Sequence, residues 1–518
     1  MKKISACLVF SGLVSAVLAQ TNVPLISGSY DIEFPPVILP ASAQTNQPTV
    51  RPVSLQDCIE DAIKRNFDVR VERYAPLEAR YALAAAYAGY DPIWNAAGAH
   101  NFNESGGIFQ NGVVFPAQIT DQNAFSSSLG SSLPFGLQYS LFGNANESYG
   151  TSGSGPFDTT SGSVGVNLTQ PLLKNFWIDS TRLAITAAKN QLKQSEQGLR
   201  QQLILTVTQV ENAYFELIFA REDLEVKKAA LGLAQTQLDQ DRQRVQVGSL
   251  APLDVQQDEA AVAQRKSDLI TAESALGTDQ RNLKILITDN YSASIFEDLQ
   301  PTAVLEAPLQ SFNLQDSWSK GLTARPDLLQ AKLSVEQQGI QLKYDRNQIF
   351  PELDLVGSYG FNGFGKEFSD AVGQFNEGNR PFYSYGAQVS VPLSNVRARN
   401  VFKSDKAVEQ QLLLKLKQLE QSILVSIDNA VGVARSDFAD VAATKQARIY
   451  AEAALDAEQK KYAVGKSTTF TVLQLQNSLT GARSAEIRAL ASYQEALASL
   501  AQQEGGTLER RNVDVTLK

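Results

Sequence analysis

Two periods alternate along the chain. From Leu203 a hydrophobic residue recurs every seven positions: Leu203, Val210, Leu217, Leu224, Leu231, Leu238 and Val245. After a break at Val247-Gly248 the beat resumes through Val255, Val262, Leu269, Leu276 and Leu283. A repeat of 3.5 residues per turn keeps one stripe facing a partner, so these stretches predict long paired helices. The proline-free run from Arg182 to Gln246 would extend about 97 Å as a single helix, at 1.5 Å per residue. Ile427, Val441, Leu455 and Tyr462 keep the same spacing up to a second break at Val464-Gly465, and Val472, Leu479, Tyr493 and Leu500 continue it. Ala434, Arg448 and Glu486 weaken the beat there.

Between the helical stretches the period falls to two. In FSSSLGSSLPFGLQYSL the odd positions from Phe125 to Leu141 include every apolar residue except Pro134, and the even ones are Ser, Gly, Gln or Pro. YSYGAQVSVPL alternates Tyr383, Tyr385, Ala387, Val389, Val391 and Leu393 with small or polar residues, and PELDLVGSYGF alternates Leu353, Leu355, Gly357, Tyr359 and Phe361. A half-buried soluble sheet alternates in this way. So does a transmembrane β-strand, apolar outward and polar inward with aromatics near its ends, and in an exported chain the membrane reading is the stronger.

The order of elements occurs twice. LQDCIEDAIKRNF from Leu55 aligns with LQDSWSKGLTARP from Leu314, and the alignment runs without a gap to Pro92 and Pro351. GVNLTQP (Gly165 to Pro171) then matches GAQVSVP (Gly386 to Pro392), and the two Val-Gly breaks lie 217 residues apart. The expected organisation is a signal peptide (1–19), a flexible leader (20–50), a first repeat (51–288), a linker (289–312), a second repeat (313–505) and a charged, fraying tail (506–518). Each repeat leaves and re-enters helix on the same side of a membrane, so it carries an even number of strands. The second has room for two. The first is longer, and Leu133-Pro134-Phe135-Gly136 would fold the extra length into an added hairpin. One chain then has four strands, or six with the added hairpin, too few to close a conducting barrel, so several chains are needed.

Composition sharpens the picture. Lys2 and Lys3, the apolar run Ile4 to Val17 and the small residues before Gln20 make a secretory signal. Removing it takes the formal charge from −9 to −11, which disfavours nucleic acid as a partner. Cys58 is then the only cysteine, so no disulfide is available and the residue reads as core. With one histidine (His100) there is no metal-spaced cluster, and neither a nucleophile elbow nor a phosphate loop is present; no cofactor and no enzymatic activity are expected. No apolar run after the signal is long enough for a membrane-spanning helix.

The duplicated order, the LTQPLL segment (Leu168 to Leu173), the ARPDL segment (Ala324 to Leu328) and the two Val-Gly turns resemble the TolC-like outer-membrane efflux and secretion proteins. The resemblance implies an α+β membrane protein: a homotrimer whose outer-membrane β-barrel continues as a long periplasmic coiled-coil α-barrel. It implies a duct for small molecules or polypeptides that docks to an inner-membrane pump through a periplasmic adaptor. The alternative from the sequence is an exported, non-conducting coiled-coil protein.

Within the resemblance, Val247, Gly248, Ser249 and Leu250, with Val464, Gly465, Lys466 and Ser467, become hairpin tips for adaptor docking. Asp254 and Tyr462 match a closing contact. Relatives often carry a carboxylate constriction where this chain has Thr471 and Gln474, which leaves Asp254 and Asp258 as the acidic gate candidates. Each residue also has a plainer reading: glycine as a helix stop, Asp254 as a helix N-terminal carboxylate, Tyr462 as core.

Overall fold

The structure is a computed structural model that describes residues 49–115, 117–152 and 155–513. The expected signal peptide and most of the leader lie outside these residues. The first half runs β1 (Thr49–Val53), α1 (Leu55–Arg65), α2 (Phe67–Glu72), α3 (Tyr74–Tyr87), β2 (Ile93–Ser105), β3 (Ile108–Gln110), β4 (Val113–Phe115), β5 (Gln118–Ser132), β6 (Gln138–Ser152), β7 (Gly155–Pro171), α4 (Ser180–Gln246) and α5 (Pro252–Ile287). The second runs β8 (Glu297–Pro301), α6 (Leu314–Ala324), α7 (Pro326–Gln348), β9 (Glu352–Gly365), α8 (Phe368–Glu377), β10 (Pro381–Ser390), α9 (Val396–Ala463), α10 (Thr469–Glu504) and α11 (Thr507–Arg510).

The long helices are unbroken. α4 has 67 residues and α9 has 68, so each is about 100 Å long. Each reverses at its Val-Gly break into a return helix of 36 residues, α5 or α10. The return helices cover only part of the long ones; α3 and α7 pack against α4, and α7 against α9, to cover the remainder. The seven-residue stripe is the buried one: Val210, Leu217, Ile427 and Tyr493 are wholly enclosed. Two interruptions of the beat answer each other, because Arg448 on α9 pairs with Glu486 on α10.

Six strands form one antiparallel sheet in the order β10-β9-β7-β6-β5-β2. The first half contributes four and the second two, and residues 133–137 turn β5 into β6 as the added hairpin. Residues directly opposite in an antiparallel ladder share a face. One such row is Trp94, Leu129, Leu141, Val166, Tyr359 and Tyr383. On the other face, three residues along, a row holds Ala97, Ser126, Asn144, Ser163 and Asn362. The sheet thus has an apolar face and a more polar one, on which Phe142 and Phe382 pack together. Its outer edges, on β2 and β10, have no strand partner among the described residues.

Where the halves meet, β1 pairs in parallel with β8, so Thr49 and Val50 are strand rather than flexible leader, and the linker carries a strand of its own. The Tyr214 hydroxyl donates to the Val53 carbonyl at 3.2 Å and accepts from the Ala303 amide at 3.3 Å, tying leader and linker to α4. Cys58 is 1% exposed, and burial pushes its thiol up to about 12, as a core residue requires.

The tail does not fray up to Val513. Gly505 adopts a left-handed turn after α10, and α11 buries Thr507 and Leu508. Arg511 pairs with Glu211, a carboxylate wholly buried on α4. Charge sequence alone misses this, because the partner lies 300 residues away. Arg511→Leu should lower stability by about 3 kcal/mol, the low end for breaking a buried pair because Arg510 also faces Glu211. Chemical unfolding in detergent should show this loss, and the double change with Glu211→Leu should recover most of it.

Candidate functional site: the paired hairpin tips

Both tips are built in the same way. At the end of α4 the Ser249 amide donates to the Arg244 carbonyl (2.8 Å) and the Gly248 amide to Val245 (3.0 Å). At the end of α9 the Lys466 amide donates to Lys461 (2.9 Å) and the Gly465 amide to Tyr462 (3.0 Å). These are Schellman closures, which need a residue at positive φ; Gly248 and Gly465 supply it at 76° and 74°. Pro252 starts α5 in the first-turn position it suits, and the Thr468 hydroxyl caps α10 by accepting from the Thr471 amide. Val247, Ser249, Val464 and Lys466 are exposed, while Leu250 and Ser467 are partly covered, Ser467 by donating to Glu458 at 2.6 Å.

One turn inside the tips lies a buried polar cluster. The Tyr462 hydroxyl donates to Asp241 Oδ2 at 2.7 Å and lies 2.9 Å from the Thr469 hydroxyl. Gln237 Nε2 also donates to Asp241 Oδ2, at 2.7 Å, and the Arg244 guanidinium sits 4.5 Å over the Tyr462 ring and 3.6 Å from Asp241 Oδ1. Burial, together with the Asp241 carboxylate, pushes the Tyr462 hydroxyl up to about 12. Tyr462 belongs to one buried apolar cluster with Leu455, Val472 and Leu479. This contact joins the first hairpin to the second.

The expected pairing of Tyr462 with Asp254 is therefore replaced by one with Asp241. Asp254 sits half-exposed in the first turn of α5, where a carboxylate suits the helix dipole. Asp258 is wholly buried, and no N–H or hydroxyl donates to either of its oxygens; it faces the Asp241 carboxylate. Burial first, then Asp241 and Asp254, push Asp258 up to about 7. Two carboxyl groups meeting out of water hold a proton between them. Thr471 shares the α10 cap with Thr468, their hydroxyls 2.9 Å apart, and Gln474 is exposed on the same helix.

Sequence reading missed Asp241, Gln237, Arg244 and Thr469. A signal was present for the first: Asp241 and Asp258 each fall three residues after a stripe residue, Leu238 and Val255, on the second apolar line of a heptad. A carboxylate there is a core exception. Also missed was an exposed apolar residue opening each return helix, Leu253 and Phe470, at the same 217-residue offset as the glycines. Among the described residues no group of three or more His, Cys, Asp or Glu side chains could hold a metal ion.

A family model for outer membrane efflux proteins matches residues 131–287 and 319–506, most of both repeats. The chain belongs to that family of outer-membrane transport proteins, and the outer membrane protein TolC of Vibrio cholerae is among its relatives. The outer membrane efflux protein BepC of Brucella suis is 25% identical over 350 residues, covering 67% of this chain and 73% of BepC. The pyoverdine export outer membrane protein OpmQ of Pseudomonas aeruginosa is 25% identical over 345 residues, covering 64% and 68%. The crystal structure of the Campylobacter jejuni CmeC outer membrane channel superposes with a TM-score of 0.63 at 16% identity, covering 90% of each chain.

The tip cluster has a definite pH dependence. Asp258 keeps its proton above the ordinary carboxylate range, so the folded tip binds more protons than the unfolded chain between about pH 4 and pH 7. Its contribution to stability is complete below about pH 4 and is lost as pH rises through about 7. Asp254, Arg244 and Tyr462 are the groups that face the Asp241–Asp258 pair. Amide hydrogen exchange over residues 237–258, corrected for intrinsic rate, should show weakening protection between pH 5 and pH 8. Asp258→Asn should flatten that profile and raise protection at pH 8; an unaltered profile would exclude the pair as its source.

Proposed function

We propose that three copies of this chain close their sheets into one outer-membrane barrel and their helices into one periplasmic tube, forming the exit duct of a pump or secretion system. The observation that carries this reading is the six-stranded sheet with an apolar face, a more polar face and two open edges. Unpaired strand edges cannot stand in hydrocarbon, since each free N–H and C=O there costs several kcal/mol. Three copies would bring eighteen strands, six from each, a number that encloses an aqueous channel. The outward position of Tyr383, Tyr385 and Val389 on β10 suits contact with lipid.

Transport through such a duct is passive. Polar residues of the inner sheet face would line the barrel, and the tip cluster would hold the far end narrow by clamping the first hairpin to the second. Opening would require separating Tyr462 from Asp241. The carboxylate ring expected of relatives is replaced by Thr471 and Gln474, so cation block at that level would be weak. The exposed pairs Val247 with Leu253 and Val464 with Phe470 repeat at both tips. They suit an adaptor made of helical hairpins, which would join the duct to an inner-membrane pump; small molecules or polypeptides would be the cargo.

Two measurements test the proposal. In planar bilayers the trimer should conduct, and Tyr462→Phe combined with Asp241→Asn should raise conductance several-fold, whereas Asp254→Ala should have little effect. A correctly assembled trimer that conducts in no variant would return the chain to a non-conducting structural role. Leu253→Glu with Phe470→Glu should abolish crosslinking to the adaptor while leaving bilayer conductance unaltered.

A further inference from the structure

The short helix α8 lies between β9 and β10 and packs on the sheet, and the side it chooses is informative. Its Phe368 ring meets Phe125 edge-on at 6.5 Å. Ala371 is 1% exposed, and Phe375 lies over Gly162 and Gly363. Gly363 is required for this approach, because a Cβ there would collide with the Ala371 carbonyl and the Phe375 ring. Gln374 fastens the helix, donating to the Phe364 carbonyl at 2.7 Å and accepting from the Phe364 amide at 3.2 Å. That stretch of β9 lies beyond the end of β10, so the glutamine replaces a missing strand.

Gly98, Phe125, Ala145, Gly162 and Gly363 form one cross-strand row, two residues beyond the row that holds Phe361 and Val164. They belong to the apolar face. Helix α8 therefore covers the side of the sheet opposite the polar residues. The next row outward is polar: His100 Nδ1 lies 2.9 Å from Asn123 Oδ1, Asn123 Nδ2 donates to Glu147 at 2.9 Å, and Thr160 is wholly buried beneath the Lys366 turn. The apolar band ends where α8 sits. On β9 it runs from Leu353 to Gly363, about 33 Å along the strand and about 25 Å along the membrane normal at the usual tilt.

We infer that α8 is an interfacial helix on the outside of the barrel, resting at the headgroup layer of the outer leaflet, with its apolar face on the sheet and its polar face toward lipid headgroups. The inference rests on the barrel reading above. The residues turned away from the sheet are Ser369, Gly373 and Glu377, all exposed, which suits wet headgroups and excludes acyl chains, while Asp370 accepts from the Lys366 and Glu367 amides as the cap of the helix. Lys366 and Arg380 flank the helix as exposed cations. The helix sets the upper limit of the lipid-facing band, a limit that the ends of the strands alone would leave undefined.

The test places a polarity-sensitive fluorophore at Ser369→Cys in the trimer reconstituted in nanodiscs, with Leu141→Cys and Ser126→Cys as controls on the apolar and polar faces. Quenching by a headgroup nitroxide lipid should exceed quenching by a mid-chain nitroxide lipid at least about twofold at Ser369. Leu141 should respond most to the mid-chain lipid, and Ser126 to aqueous iodide. Gly363→Ala should undock the helix and remove the headgroup response at Ser369 while leaving Leu141 unaltered. If both controls behave and Ser369 answers only to iodide, or if Gly363→Ala changes nothing, the interfacial helix is wrong. If Leu141 does not sense the acyl chains, the barrel reading itself fails.

Discussion

A helix of about 100 Å with one apolar stripe cannot stay in water without a partner along its whole length. That constraint organises the rest of the molecule. α4 and α9 each satisfy it in two segments: a return helix from the tip, and α3 or α7 nearer the sheet. The change of partner falls where β1, β8, α11 and the linker gather, and the largest apolar core is there, around Tyr214, Leu217 and Leu283. Exposed tips, a central belt of short elements and a sheet at the far end all follow from covering two long stripes with shorter pieces.

The same constraint explains what the sequence disclosed. Heptads and dyads are local periods, so the long helices, both reversals and the strand faces were legible. The family resemblance rested on their order, and the efflux-protein family match supports that part of the reading. Six strands rather than four became definite only with the turn at residues 133–137, since a proline and a glycine inside one alternating run mark a bend without fixing its register.

Long-range partners were not legible. Tyr462 was visible as a stripe residue with a hydroxyl, but its choice between Asp241 and Asp254 depends on how far α4 and α5 are rotated against α9. That packing is set between helices far apart in sequence, and no local pattern encodes it. The tail failed for a related reason: Arg510 and Arg511 look like solvated charges until the buried Glu211 appears opposite. Arg448 and Glu486 each looked like a flaw in the beat, and together they are a pair across two helices.

The placement of these exceptions is itself ordered. Around the belt Leu203, Val210, Leu217 and Ile427 are enclosed, with Glu211 and Lys284 buried beside them. Toward the tips the buried positions become Gln237, Asp241, Asp258, Thr469 and Gln476. Burying carboxyl and amide groups contributes less to stability than burying leucine, because desolvation offsets much of what their mutual contacts supply. It also fixes which helix faces which, since a hydrogen-bonded pair tolerates less rotation than an apolar one. The two hairpins are therefore joined at the tips by polar contacts that set their register, Tyr462 and Gln237 both donating to Asp241. A tip packed with leucine would be more stable, but by the same physics its register would be less fixed.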